Sequence, residues 1–288
     1  MAPAQRIRDL VAEKTTPRDR SEQEIAGYRD VLATIHANRE GIRLSPNVVL
    51  QLHRDLFQYT PSGGGTWKNA PNTITERHPD GTELVRFEPL APHLVDEAMR
   101  QLHKGYEEAR NREAIDPLLL IPAYVLDFLC IHPFRDGNGR MARLLTLLLL
   151  YQSGYAVGRY ISLEKLVEET KESYYDTLGK SSVGWHAGTH TLLPWTEYLL
   201  GLILAAYRRL EERVGSLTTA RGAKSQMVLD TISAFARDFS TAEIQERCPN
   251  VSLDLIRRIL QEQKRLGAVE PLGRGPQARW RKSVSRAE

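Results

Sequence analysis

Apolar residues recur at helical spacing through the first two hundred positions, as in Ala26, Val31, Leu32 and Ile35, and again in Val49, Leu50, Leu52, Leu56 and Phe57. The pattern predicts a mostly α-helical chain. Pro117 opens a Leu-rich helix over 117–131, a polar Gly-containing loop follows, and a second apolar helix runs over 139–154 and stops at Gly154. Further helices are predicted over 163–178 and 194–214. One interruption spans 60–92. There a Gly-rich stretch, 62–65, precedes two short runs, 72–77 and 82–88, separated by His78-Pro79-Asp80-Gly81. An Asp-Gly step between Thr/Ile/Val-containing runs reads as a β-hairpin.

Gly, Ser and Thr cluster at 215–222 without apolar periodicity, which marks a boundary. Beyond it the pattern predicts a helix over 224–239, a Ser240-capped helix over 241–247 and a Ser252-capped helix over 253–266. Gly267-Ala268-Val269 then leads into a Gly/Pro turn and the run Arg279-Trp280-Arg281-Lys282. Three helices followed by a small hairpin is the winged helix-turn-helix order. The expected division is an N-terminal helical extension over 1–20, a large helical domain over 21–215, and a small α+β winged-helix domain over 222–284.

Composition narrows the class. A chain of 288 residues, 41% hydrophobic and 26% charged, is ordinary for a globular protein. Two cysteines, Cys130 and Cys248, provide neither a disulfide framework nor a zinc cluster, and a reducing cytoplasm is expected. The opening residues MAPAQRIRDLVAEK lack the apolar centre of a signal peptide, and no apolar run approaches the length of a membrane span, so no membrane partner is expected. The net charge of +3 is uneven: residues 251–282 alone carry +5.

The chemistry concentrates in His132-Pro133-Phe134-Arg135-Asp136-Gly137-Asn138-Gly139-Arg140-Met141-Ala142-Arg143, a loop held between two apolar helices. Gly137 and Gly139 let backbone approach a ligand with no Cβ in the way. The helix that follows aims its free N–H groups at the same place, which suits a phosphate. Arg140 and Arg143 project from one helix face and can clamp a di- or triphosphate. Asp136 supplies a hard oxygen for Mg²⁺, and His132 has the pKa range of a general base. Singly, each residue has a structural explanation as a cap, a turn former or a solvated charge. Their coincidence within twelve residues favours phosphate-group transfer.

These twelve residues resemble the Fic signature His-x-Phe-x-[Asp/Glu]-Gly-Asn-Gly-Arg-x-x-Arg at all eight specified positions. The resemblance extends to SEQEIAGYRDVLAT over 21–34, to Gly65-Thr66-Trp67-Lys68, to the hairpin, and to ESYYDTL over 172–178, and so covers about 20–210. It implies a Fic-type helical bundle with a β-hairpin flap and a protein adenylyltransferase, which moves AMP from ATP to a Ser, Thr or Tyr hydroxyl of a target protein and releases pyrophosphate. By the same resemblance His132 is the general base, Asp136 holds Mg²⁺, and Gly137, Asn138 and Gly139 form the anion nest, with Asn138 steadying the α-phosphate. Arg140 and Arg143 bind the β- and γ-phosphates, Tyr174 and Tyr175 line the adenine pocket, and Thr73 and Ile74 of the flap dock the target main chain. Ser182 stands where some relatives have an Asn that contacts the nucleoside. Removal of AMP and transfer of another nucleotide stay open, as does a homo-oligomer.

Many Fic proteins also carry an inhibitory helix, [Ser/Thr]-x-x-x-Glu-[Gly/Asn], whose Glu pairs with the second motif Arg. The chain's one Glu-Gly step, Glu40-Gly41, has His36 four residues before it, so the expectation is an unguarded Arg143. In the winged-helix segment, Arg257 and Arg258 on the third helix and Arg274, Arg279, Arg281 and Lys282 in the wing are candidate contacts to duplex DNA. Trp280 is open between wing packing and a DNA contact. A DNA-binding regulator that uses its Fic domain as sensor or scaffold is therefore the alternative of a different class.

Overall fold

The computed structural model describes residues 4–77, 81–112, 115–219, 222–235, 237–273 and 278–283. The chain divides into two compact units, Met1–Arg208 and Arg209–Glu288.

The first unit is a helical bundle. α1 (Ala4–Val11) packs on α2 (Arg20–Asn38), where Arg6 forms a two-pronged hydrogen-bonded pair with the buried Glu22 carboxylate. Asp19 caps α2 by accepting the Glu22 N–H, and Ser45 caps α3 (Pro46–Leu56), which Pro46 opens. α4 (Val95–Asn111) and α5 (Pro117–Ile131) pack side by side, and α5 packs on α6 (Asn138–Gln152). α5 and α6 are apolar nearly all round because they run through the centre: Phe128, Leu145 and Leu148 have no exposed surface. The loop between them is therefore anchored at both ends in the buried centre of the unit.

The hairpin is present as β1 (Ile74–Arg77) and β2 (Glu83–Phe87), paired antiparallel with Ile74 opposite Phe87, Thr75 opposite Val85 and an irregularity between the two pairs. His78, Pro79 and Asp80 of the expected turn lie outside the described residues. The single helix expected over 163–178 is two, α7 (Leu163–Glu169) and α8 (Lys171–Ser182). Thr170 leaves helical geometry at φ −116, ψ 28; its hydroxyl bonds the Leu166 carbonyl and the Tyr198 hydroxyl. A tertiary bond at a β-branched residue thus ends the helix, which no local signal announces. α9 (Leu193–Thr219) is anchored on α5 by the buried Trp195, whose indole N–H donates to the Pro122 carbonyl at 3.0 Å.

The second unit holds α10 (Ala223–Ala234), β3 (Phe239–Ser240), α11 (Thr241–Arg247), α12 (Leu253–Arg265), β4 (Val269–Pro271) and β5 (Arg279–Lys282), with the sheet in the order β3-β5-β4. Ser240 and Glu243 form a reciprocal capping box on α11, and Ser252 caps α12. α10 ends five residues before the expected position because Phe235 turns extended and stacks on Phe239. Trp280 is 7% exposed and belongs to the core with Phe239, Ile256 and Leu260. It is a packing residue. Both cysteines are buried free thiols. No described helix is long and apolar enough to cross a membrane.

Candidate active site

His132 follows the last residue of α5 in the left-handed region, at φ 51 and ψ 61, the position where helices usually place Gly. Its Nδ1 lies 3.2 Å from the Leu129 carbonyl. A carbonyl can only accept, so Nδ1 carries the proton and the Nε2 lone pair is left for chemistry. Burial holds the imidazole well below its ordinary range, at about 4; the Lys68 charge adds to the fall, while the Leu129 carbonyl and Asp136 oppose it. The ring is a neutral base at physiological pH.

Asn138 fixes the loop. Its side chain is 2% exposed, its Oδ1 accepts the Phe134 N–H at 2.9 Å, and its Nδ2 donates to the Phe134 carbonyl at 2.8 Å. Both polar ends of the side chain are committed to the Phe134 backbone N–H and carbonyl, so of Asn138 it is the backbone N–H that is left to meet a phosphate. Gly137 precedes α6 at φ 82, and the helix that starts there leaves the N–H groups of its first turn without intrahelical partners.

The charged groups are paired within the protein. Asp136 Oδ2 accepts from Arg20 Nη2 at 2.8 Å, and its Oδ1 accepts the Gly137 N–H at 2.6 Å. Arg140 lies over the Phe57 ring, with Nη1 3.0 Å from Glu24 and Nη2 3.5 Å from Asp136. Arg143 Nε stands 2.7 Å from Glu164 Oε2 in the first turn of α7, and burial together with the charge of that carboxylate pushes the Tyr28 hydroxyl up from its ordinary range. The contact is Coulombic, since neither Arg143 Nε nor Glu164 Oε1 has an aligned hydrogen-bond partner. The expectation of an unguarded Arg143 is thereby corrected. Glu164 escaped the sequence reading because it belongs to no inhibitory pattern and lies beyond the motif.

A cavity of about 770 Å³ collects many of the expected residues: His132, Gly139, Arg143, Tyr174, Tyr175, Thr73 and Ile74 all line it, and Ser182 joins them. Tyr174 is buried edge-on against Trp195, whereas Tyr175 is half exposed. Ser182 donates to the Gly179 carbonyl. Asp136 and Arg140 are not among the lining residues; they sit with Arg20 and Glu24 on the α2 side. Mg²⁺ commonly uses one or two carboxylates and completes its shell with phosphate and water. One half-exposed carboxylate, Asp136, fits that use, and no group of three or more His, Cys, Asp or Glu is assembled among the described residues.

Two side chains outside the motif hold it from behind. Lys68 is 5% exposed, donates its Nζ protons to Asn72 Oδ1 and the Ile131 carbonyl, and is pushed down to about 8 by burial. Its backbone N–H donates to the Pro133 carbonyl, so the stem of the flap is bonded to the motif loop. His53 stacks on Phe134 with centroids 3.6 Å apart and planes 1° from parallel. Sequence offered little signal for either: Lys68 stands in the Gly65-Thr66-Trp67-Lys68 segment, and His53 is one histidine on an amphipathic helix.

A helical bundle whose two central helices are joined by the His132–Gly137 loop, with a short antiparallel hairpin preceded by Thr73 at the same cavity, has the Fic fold. Residues 43–150 match the profile of the Fic/DOC family. Over 206 residues the chain is 28% identical to "Protein adenylyltransferase fic-1" of Caenorhabditis briggsae, covering 70% of this chain and 36% of the relative. The protein of the same name from Caenorhabditis elegans is 28% identical over 204 residues, covering 70% and 35%. The chain thus spans about a third of the length of these relatives. The crystal structure of a Fic family protein from Desulfovibrio desulfuricans G20 superposes with a TM-score of 0.59 at 18% identity, over 100% of this chain and 83% of that one. Together these matches support a Fic/Fido-family domain in the chain.

Proposed function

We propose that the first unit is a protein adenylyltransferase, which transfers AMP from ATP to a hydroxyl of a target protein. The observation that carries this reading is the tautomer of His132: with Nδ1–H held by Leu129, Nε2 is a neutral acceptor in the cavity that Gly139 and Arg143 also line. A target Ser, Thr or Tyr hydroxyl gives its proton to Nε2 as its oxygen bonds the α-phosphorus. The α–β bridging P–O bond breaks in line, and pyrophosphate leaves with the electron pair. The nest N–H groups and Arg143 hold the phosphate oxygens. Asp136 would hold Mg²⁺, which supplies neutralisation of phosphate charge. Thr73 and Ile74 would pair with the target backbone by strand addition.

The test is incubation with labelled ATP and Mg²⁺, read by intact mass. His132→Ala is expected to abolish AMP transfer and to retain ATP binding; a variant that transfers AMP at near the wild-type rate overturns the reading. Because the burial-shifted imidazole protonates at about 4, the acid limb of kcat/KM should fall near that value and not near 6.5.

We also infer that the second unit is a winged-helix module for duplex DNA. Arg257 and Arg258 stand exposed on α12. In β5, Arg281 forms a two-pronged pair with Asp238, and Arg279 donates to the Asp238 carbonyl and lies 3.8 Å from Glu243. Arg257 has only the 3.6 Å contact to Asp254, which is almost fully exposed, so α12 is the stronger candidate surface. Arg274 lies outside the described residues.

A further inference from the structure

The ring of His53 is fully committed. Its Nδ1 accepts the Gly65 N–H at 2.9 Å, which requires that the ring proton sit on Nε2; that nitrogen is 3.1 Å from the Asp136 carbonyl, to which it donates. The ring is 6% exposed, stacked on Phe134 and tilted against Phe57. Both nitrogens and both faces are therefore used within the protein, and none of them lines the cavity that holds His132.

We propose that His53 is a positioning residue for the anion nest, acting through the orientation of the Asp136–Gly137 peptide. In a trans peptide the C=O and N–H lie in one plane and point in opposite directions across the C–N bond. With the Asp136 carbonyl fixed toward His53, the Gly137 N–H must face away from it, toward the side where it now meets Asp136 Oδ1. Gly137 itself lies close against two rings. A Cβ at this position would stand 2.7 Å from Phe57 and 3.4 Å from His53 Nε2, so the peptide lies directly on the two rings. On the other edge, the Gly65 N–H ties the segment that leads into the flap to the same ring, and a Cβ on Gly64 would meet the His53 carbonyl at 2.4 Å. One imidazole thus spaces the flap stem from the nest and aims a nest donor. The proposal rests on the phosphate-transfer reading of the loop.

Three variants separate its parts. His53→Phe keeps a ring against Phe134 and loses both hydrogen bonds, His53→Gln places an amide donor near the Nε2 position, and His53→Asn places an acceptor near Nδ1. ATP and inorganic pyrophosphate binding are measured by calorimetry on the full chain, with Tm recorded beside them. An unpaired buried carbonyl in a peptide that no hydrogen bond orients should weaken pyrophosphate binding by about tenfold in His53→Phe. His53→Gln should recover most of that loss, and His53→Asn should not. His53→Phe binding as the wild type, or Gln and Asn variants failing equally while Tm is kept, overturns the proposal. If instead the wild type binds neither ATP nor pyrophosphate, the failure lies in the reading of the loop as a nucleotide site.

Discussion

Under the proposed reading, the Glu164 carboxylate competes with the nucleotide for Arg143. The guanidinium that this reading assigns to a phosphate is held 2.7 Å from the Glu164 carboxylate. Carboxylate and phosphate compete for one cation, so the ion pair raises the concentration of ATP needed to seat the phosphate on Arg143. Both side chains are about one-third exposed, which screens the pair and limits its strength. Glu164→Gln is expected to tighten ATP binding about three- to tenfold, measured by calorimetry. An unchanged Kd would make the pair structural only. At this scale the motif residues were legible because the loop is continuous in the chain: His132, Gly139 and Arg143 meet in one cavity as the spacing implied. Glu164, Arg20, Glu24 and His53 were not legible. A charged or aromatic side chain acquires its role here from a neighbour far along the chain, as Arg20 does from Asp136, 116 residues away.

Among the elements, α2 and α3 show how backbone contact sets a residue that periodicity leaves undecided. Gly27 lies inside α2, where an Ala would ordinarily add about 1 kcal/mol of helix stability. A Cβ there would stand 2.0 Å from the Leu56 carbonyl oxygen, a backbone atom that cannot rotate away. Gly27→Ala is therefore expected to destabilise the unit by about 2 kcal/mol or more, seen as a lower urea midpoint. A rise in the midpoint would show that propensity outweighs the clash. The long helices were legible from apolar period and caps, α5 at both of its ends. The break at Thr170 was not, because the Tyr198 hydroxyl that helps to stabilise it comes from another helix.

For the whole molecule, charge is distributed by unit, and the excess of basic residues over 251–282 calls for a partner or an internal counter-charge. Both outcomes occur. All four arginines are exposed; Arg279 and Arg281 are engaged by Asp238 and Glu243, while Arg257 makes a longer contact, 3.6 Å, to the exposed Asp254. If α12 binds duplex DNA, log K should fall linearly with log salt, and Arg257→Ala with Arg258→Ala should reduce the slope by about two. Replacing Arg279 should change it less. No salt-dependent binding to a randomised duplex pool would remove DNA from the proposal.

The amino-acid sequence by itself determined the helical class, the hairpin, the small helix-rich segment at the C-terminal end and the twelve-residue loop, since each rests on local period, capping and turn chemistry. Only the tertiary structure decided that the Asn138 side chain holds the loop, that Arg143 is paired, that Trp280 is core, and that His53 packs against the Asp136–Gly137 peptide. These outcomes depend on which groups distant in sequence are brought within hydrogen-bonding or Coulombic reach. Burial then makes each such contact count, because a polar group removed from water must find its partner inside the protein.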